Sequence, residues 1–306
     1  MTTHTPYEDL RPLLFSIAYR MLGSAGEAED IVQEAFLRHH RAAEEGERIT
    51  SPKAWLSAVT TRLAIDHLRS ARVRRERYVG PWLPEPLLTD TAPDAARHAE
   101  TADSLSLAFL VVLERLSPVE RAVFLLREVF DYPYDEIARI VERSEDNCRQ
   151  IAVRARRHVE AGRPRFETSR RERDEIARRF FAAWEEGDLE GLEALLAADA
   201  AVYGDGGGKA PAAARPVLGR AKVARFLLGL ARQSRVAGLS VRPVEVNGQP
   251  GAIAEDAEGR VAGVVALDIA GGRVLAVRSV VNPDKLDHLG EPADLPELFR
   301  RRPGRG

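Results

Sequence analysis

Apolar residues in the first half of the chain recur every three or four positions, the period of a helix buried along one side. Leu10, Leu13, Leu14, Ile17 and Met21 make the first such face, and Gly23 ends it. Ser24 and Glu27 have the spacing of a capping box, and the helix that follows carries Ile31, Val32, Ala35 and Phe36 inward. Ser51-Pro52 opens a third helix, since proline suits a first position whose N–H has no helical partner. Trp55, Val59, Leu63 and Ile65 carry that helix on into a run of arginines. Residues 80–94, GPWLPEPLLTDTAPD, break the pattern with four prolines, which remove backbone donors and fix φ, and read as a linker. Helical spacing resumes with Leu105, Phe109, Val112, Leu113 and Leu116.

Residues 116–159 hold the strongest local pattern. Ser117-Pro118-Val119-Glu120 is a capping box with proline at the first helical position, and Val119, Ala122, Val123, Leu126 and Phe130 form the buried stripe behind it. Asp131–Pro133 stops the helix. A short helix over Tyr134–Val141 turns inward Ile137, Ala138 and Val141, and Glu142–Ser144 make a turn. A last helix over Glu145–His158 buries Cys148, Ile151, Ala152 and Ala155. Its other face holds Asp146, Asn147, Arg149, Gln150, Val153, Arg154 and Arg157. A short helix, a tight turn and a capped helix with Arg, Asn and Gln outward is the arrangement that reads the DNA major groove. Glu145 and Asp146 suit a helix N-terminus but oppose phosphate, a point in favour of a plain helical hairpin.

Beyond residue 170 the period changes. Ile176, Phe180, Phe181 and Trp184 mark one helix, Leu189, Leu192, Leu195 and Leu196 a second capped by Asp188, and residues 219–232 a third. Short β-branched runs follow at Leu239–Val246, Gly251–Glu255, Val261–Ile269 and Arg273–Val281. The turn signals Asn247-Gly248, Glu258-Gly259 and Gly271-Gly272 separate them, so helices followed by an antiparallel meander predict a separate α+β domain. The closing residues, FRRRPGRG, read as a frayed tail.

Composition narrows the class. Apolar residues at 44% and charged residues at 30% are ordinary for a globular protein. One cysteine, Cys148, excludes a disulfide framework and a multi-cysteine zinc site, and no metal or cofactor is expected. The first residues lack the basic start and apolar core of a signal peptide, and no apolar run reaches the roughly 18 residues of a membrane span, so a cytoplasmic location is expected. A net charge of −2 does not by itself point to nucleic acid, but arginines gather at 69, 72, 74, 75 and 77 and again at 149, 154, 156 and 157.

Residues 116–159 resemble the promoter-recognition domain of extracytoplasmic-function (ECF) sigma factors. Asp30-Ile-Val-Gln-Glu-Ala-Phe-Leu37 resembles that family's polymerase-binding helix, and Trp55-Leu56 through Ala64–Arg69 its segment for the minus-ten element. The resemblance implies that Asp30, Gln33 and Glu34 meet the RNA polymerase core enzyme. It implies further that Arg62, Asp66, Arg69 and Arg72 meet the melted minus-ten strand, and that Asp146, Asn147, Arg149, Gln150, Arg154 and Arg157 meet promoter duplex. The family often has asparagine where Arg62 stands, and Asp66 also fits a structural partner of a nearby arginine.

The chain continues past the usual end of such factors with a part that resembles a SnoaL-like domain, a cone-shaped α+β fold with a pocket. Three segments resemble those of the ECF subgroup carrying this fusion: Trp82-Leu83-Pro84-Glu85-Pro86, Asp205-Gly206-Gly207-Gly208-Lys209 and Asn282-Pro283-Asp284-Lys285-Leu286. The expected architecture is two all-α sigma domains, the second with the helix-turn-helix, followed by the α+β domain. Expected bounds are 1–79 and 105–163 for the sigma domains, 80–104 for the linker, 170–290 for the SnoaL-like domain and 291–306 for a flexible tail. The resemblance implies a transcription initiation factor controlled in cis by its C-terminal domain, with no catalytic residues. On that reading Trp82–Pro86 packs near the Asp205–Lys209 loop with Asn282–Leu286 beside it, and a small-molecule ligand in the pocket is a candidate signal. Two other readings stay open: a ligand-responsive helix-turn-helix regulator, and an enzyme using Asp205 and Lys209 as acid–base groups with Asp268 or His288 nearby.

Overall fold

The structure, a computed structural model, describes residues 9–75, 78–89, 102–162 and 168–300. The chain divides into two units, one built from residues 1–77 and 109–163, the other from 78–108 and 164–306. The proline-rich segment therefore belongs with the C-terminal unit.

The first unit is helical. Helix α1 (Arg11–Leu22) ends at Gly23, whose φ of 69° closes the helix in the left-handed conformation. Helix α2 (Ala25–Glu44) starts under the Ser24 hydroxyl, which accepts from the Glu27 N–H, and α3 (Pro52–Arg75) starts under Ser51, which accepts from the Ala54 N–H. Leu14, Val32, Ala35 and Leu56 form the core where the three helices meet.

Two short helices, α4 (Ala102–Leu105) and α5 (Leu107–Leu113), stand where the spacing predicts one. The Asn247 side chain donates to the Leu105 carbonyl at 3.0 Å, occupying an acceptor that a continuous helix would use, and the chain bends at Ser106. Helix α6 (Pro118–Glu128) has both halves of the Ser117–Glu120 capping box, and the Ser117 donors hold the Glu120 carboxyl below the usual range. Helices α7 (Tyr134–Val141) and α8 (Glu145–Gly162) are joined by a turn in which Glu142 takes φ 56°.

Buried polar contacts bind α1–α3 to α5–α8. Arg121, 3% exposed, donates to the carbonyls of Leu113 (3.0 Å) and Met21 (2.6 Å) and pairs with Glu114 at 2.8 Å. Arg20 is also buried. Loss of hydration lowers its pKa to about 10, and its guanidinium lies 5.7 Å from the Phe130 ring. The Tyr132 hydroxyl donates to Ser57 at 2.8 Å.

The second unit is a six-stranded sheet with helices packed against it. Helix α9 (Arg170–Glu186) is capped by Ser169 and α10 (Leu189–Leu195) by Asp188. Leu196, expected on α10, instead begins strand β1 (Leu196–Asp205), which the sequence pattern did not announce. Its Ala-rich start, with Ala197 and Ala200 buried, has no alternating face. After β2 (Val217–Leu218) and α11 (Arg220–Val236) come β3 (Ser240–Val246), β4 (Gln249–Glu255), β5 (Val261–Ala270) and β6 (Arg273–Val280). The sheet order is β2-β1-β6-β5-β4-β3, antiparallel except where β1 lies parallel to β6. Asn247-Gly248 and Gly271-Gly272 turn the hairpins with positive φ at both residues, the geometry that matches strand twist. Leu196, Val202, Leu267, Val274 and Val277 pack on Phe180 and Leu227 to form the core.

The chain after β6 differs from the expected tail. Leu295–Arg300 is a short helix, α12, because Leu295 and Leu298 find an apolar seat against Ala262. Residues 301–306 lie outside the described residues.

Arg121→Ala is expected to cost about 3–5 kcal/mol, the usual penalty for removing one partner of a buried ion pair. A urea titration followed by circular dichroism would read this as a lowered midpoint. An unchanged midpoint would show that Arg121 does not hold the helices together.

Candidate nucleic-acid interface and linker node

The helix-turn-helix presents α8 with Cys148, Ile151, Ala152, Ala155 and Val159 inward. At about 100° per residue, the opposite line runs through Asp146, Gln150, Val153 and Arg157. All four are exposed, and Val153 is one of the few large apolar side chains left open, at 46%. Asn147 and Arg154 flank that line and are also exposed. Arg149 is committed elsewhere: it pairs with Glu145 at 2.8 Å and lies over the Tyr134 ring at 4.7 Å. Arg156 pairs with Glu128 at 2.6 Å, which turns it back along the protein.

Asp30 and Gln33 are exposed on α2, and Glu34 pairs with Arg38 at 2.7 Å. These groups stand on the solvent side of the helix that buries Ile31, Val32 and Ala35. On α3, Asp66 and Arg69 are exposed and pair with each other at 3.0 Å. Arg62 is engaged otherwise than with a basic groove. Its guanidinium donates to the carbonyls of Ile140 (2.9 Å) and Arg139 (2.8 Å) and stands 3.5 Å from Glu142. It thus satisfies the free carbonyls at the end of α7. Arg72 lies on α3, and its side chain is outside the described residues, as are those of Arg74, Arg75 and Arg77.

In the C-terminal unit the three quoted segments come together around one buried carboxylate. Asp205, the last residue of β1, has no exposure. Its Oδ1 accepts from the Tyr78 hydroxyl, and its Oδ2 accepts from the Leu83 N–H at 2.8 Å and from Lys285 Nζ at 2.7 Å. Its backbone carbonyl accepts from the N–H groups of Val281 and Asn282. Lys285 donates in addition to the Leu83 carbonyl, with its ammonium 4.3 Å from the Trp82 ring centre and 4.8 Å from that of Tyr78. Asn282 donates to the Tyr78 hydroxyl at 2.8 Å. Burial and the neighbouring Asp205 carboxylate hold the Tyr78 hydroxyl well above its ordinary pKa, so it stays a donor.

Glycine is required at more than one place in this node: a Cβ at Gly206 would stand 2.2 Å from the Ala210 carbonyl oxygen, and Gly208 takes φ 73°. Gly207 takes φ 57°, and a Cβ there would stand 2.3 Å from the Asn282 amide nitrogen. Of the remaining residues, Pro84 and Pro86 are buried, Glu85 lies 4.0 Å from His288, and His288 Nε2 meets the Pro86 carbonyl at 2.8 Å. Pro283 opens a turn whose Asp284 N–H is capped by Asn282, and Leu286 is buried behind it. Lys209 meets Asp284 at 2.6 Å on the surface. Sequence reasoning missed Tyr78 and the further docking of the linker. Leu87 and Asn247 exchange two hydrogen bonds, Thr89 joins Glu245, and Leu88 bridges to Val246 on the open edge of the sheet.

The acid–base arrangement that an enzyme would need is not formed by the residues considered for it. Asp205 is saturated with donors, Lys209 is outside, and His288 is tied to the linker. Asp268 is paired with Arg278 at 2.8 Å, although burial raises its carboxyl above the usual range against that pull.

Comparisons with known proteins agree with this division. Residues 6–74 match the Sigma-70 region 2 family, residues 106–159 the Sigma-70 region 4 family, and residues 177–281 the SnoaL-like domain. The ECF RNA polymerase sigma factor SigJ of Mycobacterium tuberculosis is 39% identical over 98% of this chain and 97% of its own. A probable ECF RNA polymerase sigma factor of the same species, SigI, is 35% identical over 94% and 98%. The crystal structure of the M. tuberculosis SigJ protein superposes with a TM-score of 0.73 at 37% identity, covering 92% of this chain and 97% of that one. With paired sigma regions, a SnoaL-like domain and relatives matched from end to end, the chain belongs to the ECF RNA polymerase sigma factors, which are transcription initiation factors that bind core polymerase and promoter DNA.

Proposed function

We propose that this sigma factor is controlled in cis by its SnoaL-like domain, through the linker. The observation that carries the reading is the Asp205 carboxylate, which holds the Leu83 backbone and Lys285 at once. A linker pinned at Leu83, Leu87 and Thr89 has little freedom, so the state of the domain limits the reach available to the segments before and after it. Domain bounds follow from this. The proposed sigma segments are residues 1–77 and 109–163, and the proposed control domain takes in residues 78–108 as well as 164–306.

Within the sigma segments, Asp30, Gln33 and Glu34 are proposed to meet the polymerase core, because they form the polar face of a helix whose other side is buried. Asp66, Arg69 and Arg72 are proposed for the melted minus-ten strand. Gln150, Arg154 and Arg157 are the proposed readers of the upstream element, with Asp146 and Asn147 at the rim and Val153 against a thymine methyl. Arg149 and Arg62 reach DNA only by leaving their present partners.

Lys285→Met keeps the apolar stem between Trp82 and Tyr78 but strands the Asp205 charge. In transcription with core enzyme on a promoter library, it should change output several-fold, and hydrogen exchange at residues 78–89 should quicken. Lys209→Ala removes an exposed pair worth about 0–1 kcal/mol and should do far less. Equal transcription and equal exchange in the Lys285 variant and the parent would end the regulatory reading.

Gln150→Ala should relax base preference at one upstream position at a cost of about 1–3 kcal/mol. Replacing thymine by deoxyuracil should weaken the parent but not Val153→Ala. Loss of affinity that is uniform across all sequences would assign these residues to phosphate contact instead.

A further inference from the structure

Between α9, α11 and the sheet lies a cavity of about 120 Å³. Its walls are apolar: Trp184 and Phe226 from the helices, Val265 and Val277 from the strands, and Leu295 and Phe299 from the closing helix α12. No Asp, Glu, Lys, Arg or His of the described residues lines it, and the polar side chains that reach it are Ser234, Ser279 and Trp184. The Trp184 N–H is already spent on the Leu227 carbonyl at 2.8 Å. An ion placed here would lose its water without meeting a counter-charge, which is prohibitive, whereas an apolar molecule loses nothing it needs. An engineered cavity of about 150 Å³ with similar walls takes up benzene, which sets the size of the occupant.

The cavity and the linker node share their backbone. Gly204 lines the cavity and the next residue is Asp205; Val281 lines it and the next residue is Asn282. Pro211, which follows the glycine loop, and Leu295, which follows the Asn282–Leu286 turn, are also in the wall.

We propose that this cavity binds one small, uncharged, largely apolar molecule of about the size of a single aromatic ring, and that its occupancy is transmitted to the Asp205 node along these two strand ends. The transmission rests on the cis-regulatory reading above; the binding does not.

The test uses the full-length protein with fluorobenzene as probe and 4-fluorobenzoate as its charged counterpart, followed by ¹⁹F NMR. Saturable broadening of the fluorobenzene signal is expected, with none for the benzoate. Val265→Phe fills the cavity from the sheet and Ala213→Phe from a half-exposed loop wall where folding is not at stake. Each should weaken fluorobenzene binding at least tenfold. Absence of saturable binding to the parent, equal binding of the benzoate, or unchanged binding in the Ala213 variant overturns the site. Transcription with core enzyme in the presence of fluorobenzene should shift for the parent and not for the Ala213 variant. Binding with no such shift overturns the transmission alone. The cis-regulatory reading fails separately, through an inert Lys285→Met.

Discussion

A carboxylate removed from water has to be met by donors, and the C-terminal unit is arranged around meeting the one on Asp205. The donors come from two pieces of chain far apart in sequence. Tyr78 and the Leu83 N–H bring in the linker, and Lys285 brings in the segment after the last strand. Lys285 in turn is a buried cation that needs more than one carboxylate oxygen, and two aromatic faces and the Leu83 carbonyl supply the rest. The parallel pairing of β1 with β6 makes this meeting unavoidable, since it sets Asp205 beside Val280 and delivers the chain after it to Asn282. Removal of any one donor leaves a charge or a polar group without compensation in a place that water does not reach.

The helical unit uses the same device more sparingly. Arg121 ties the α5 carbonyl of Leu113 to the α1 carbonyl of Met21, and Arg62 ends α7 from the side of α3. A guanidinium suits both tasks because its planar fork offers several donors in fixed directions. Arg62, on α3 among the residues proposed for the minus-ten strand, closes the end of α7 in the helix-turn-helix.

Much of this was legible in the sequence. Amphipathic spacing, capping residues and the two hairpin turns placed most helices and strands, because each is a local signal that tertiary packing reinforces. Strand β1 was not legible: its buried alanines carry neither the alternation nor the β-branching that announces a strand. Nor was the break at Ser106, which is made by a side chain distant in sequence. The meeting of the three segments was foreseen as a neighbourhood, but its chemistry was not. Lys209 drew notice for its charge beside the glycines, whereas the buried cation is Lys285, and only the fold distinguishes an exposed lysine from an enclosed one. Similarly, Arg149 looked equivalent to Arg154 and Arg157 until Glu145 was placed beside it.

The close fit at Gly207 has a bearing on how such proteins diverge. A side chain there collides with Asn282, Asn282 supports Tyr78, and Tyr78 supports Asp205, so no member of the set can drift while the others stay. Segments separated by most of the length of the chain thus form one unit of heredity. A lineage that abandons the fused domain is freed from all of these constraints at once, and one that keeps it must keep them together.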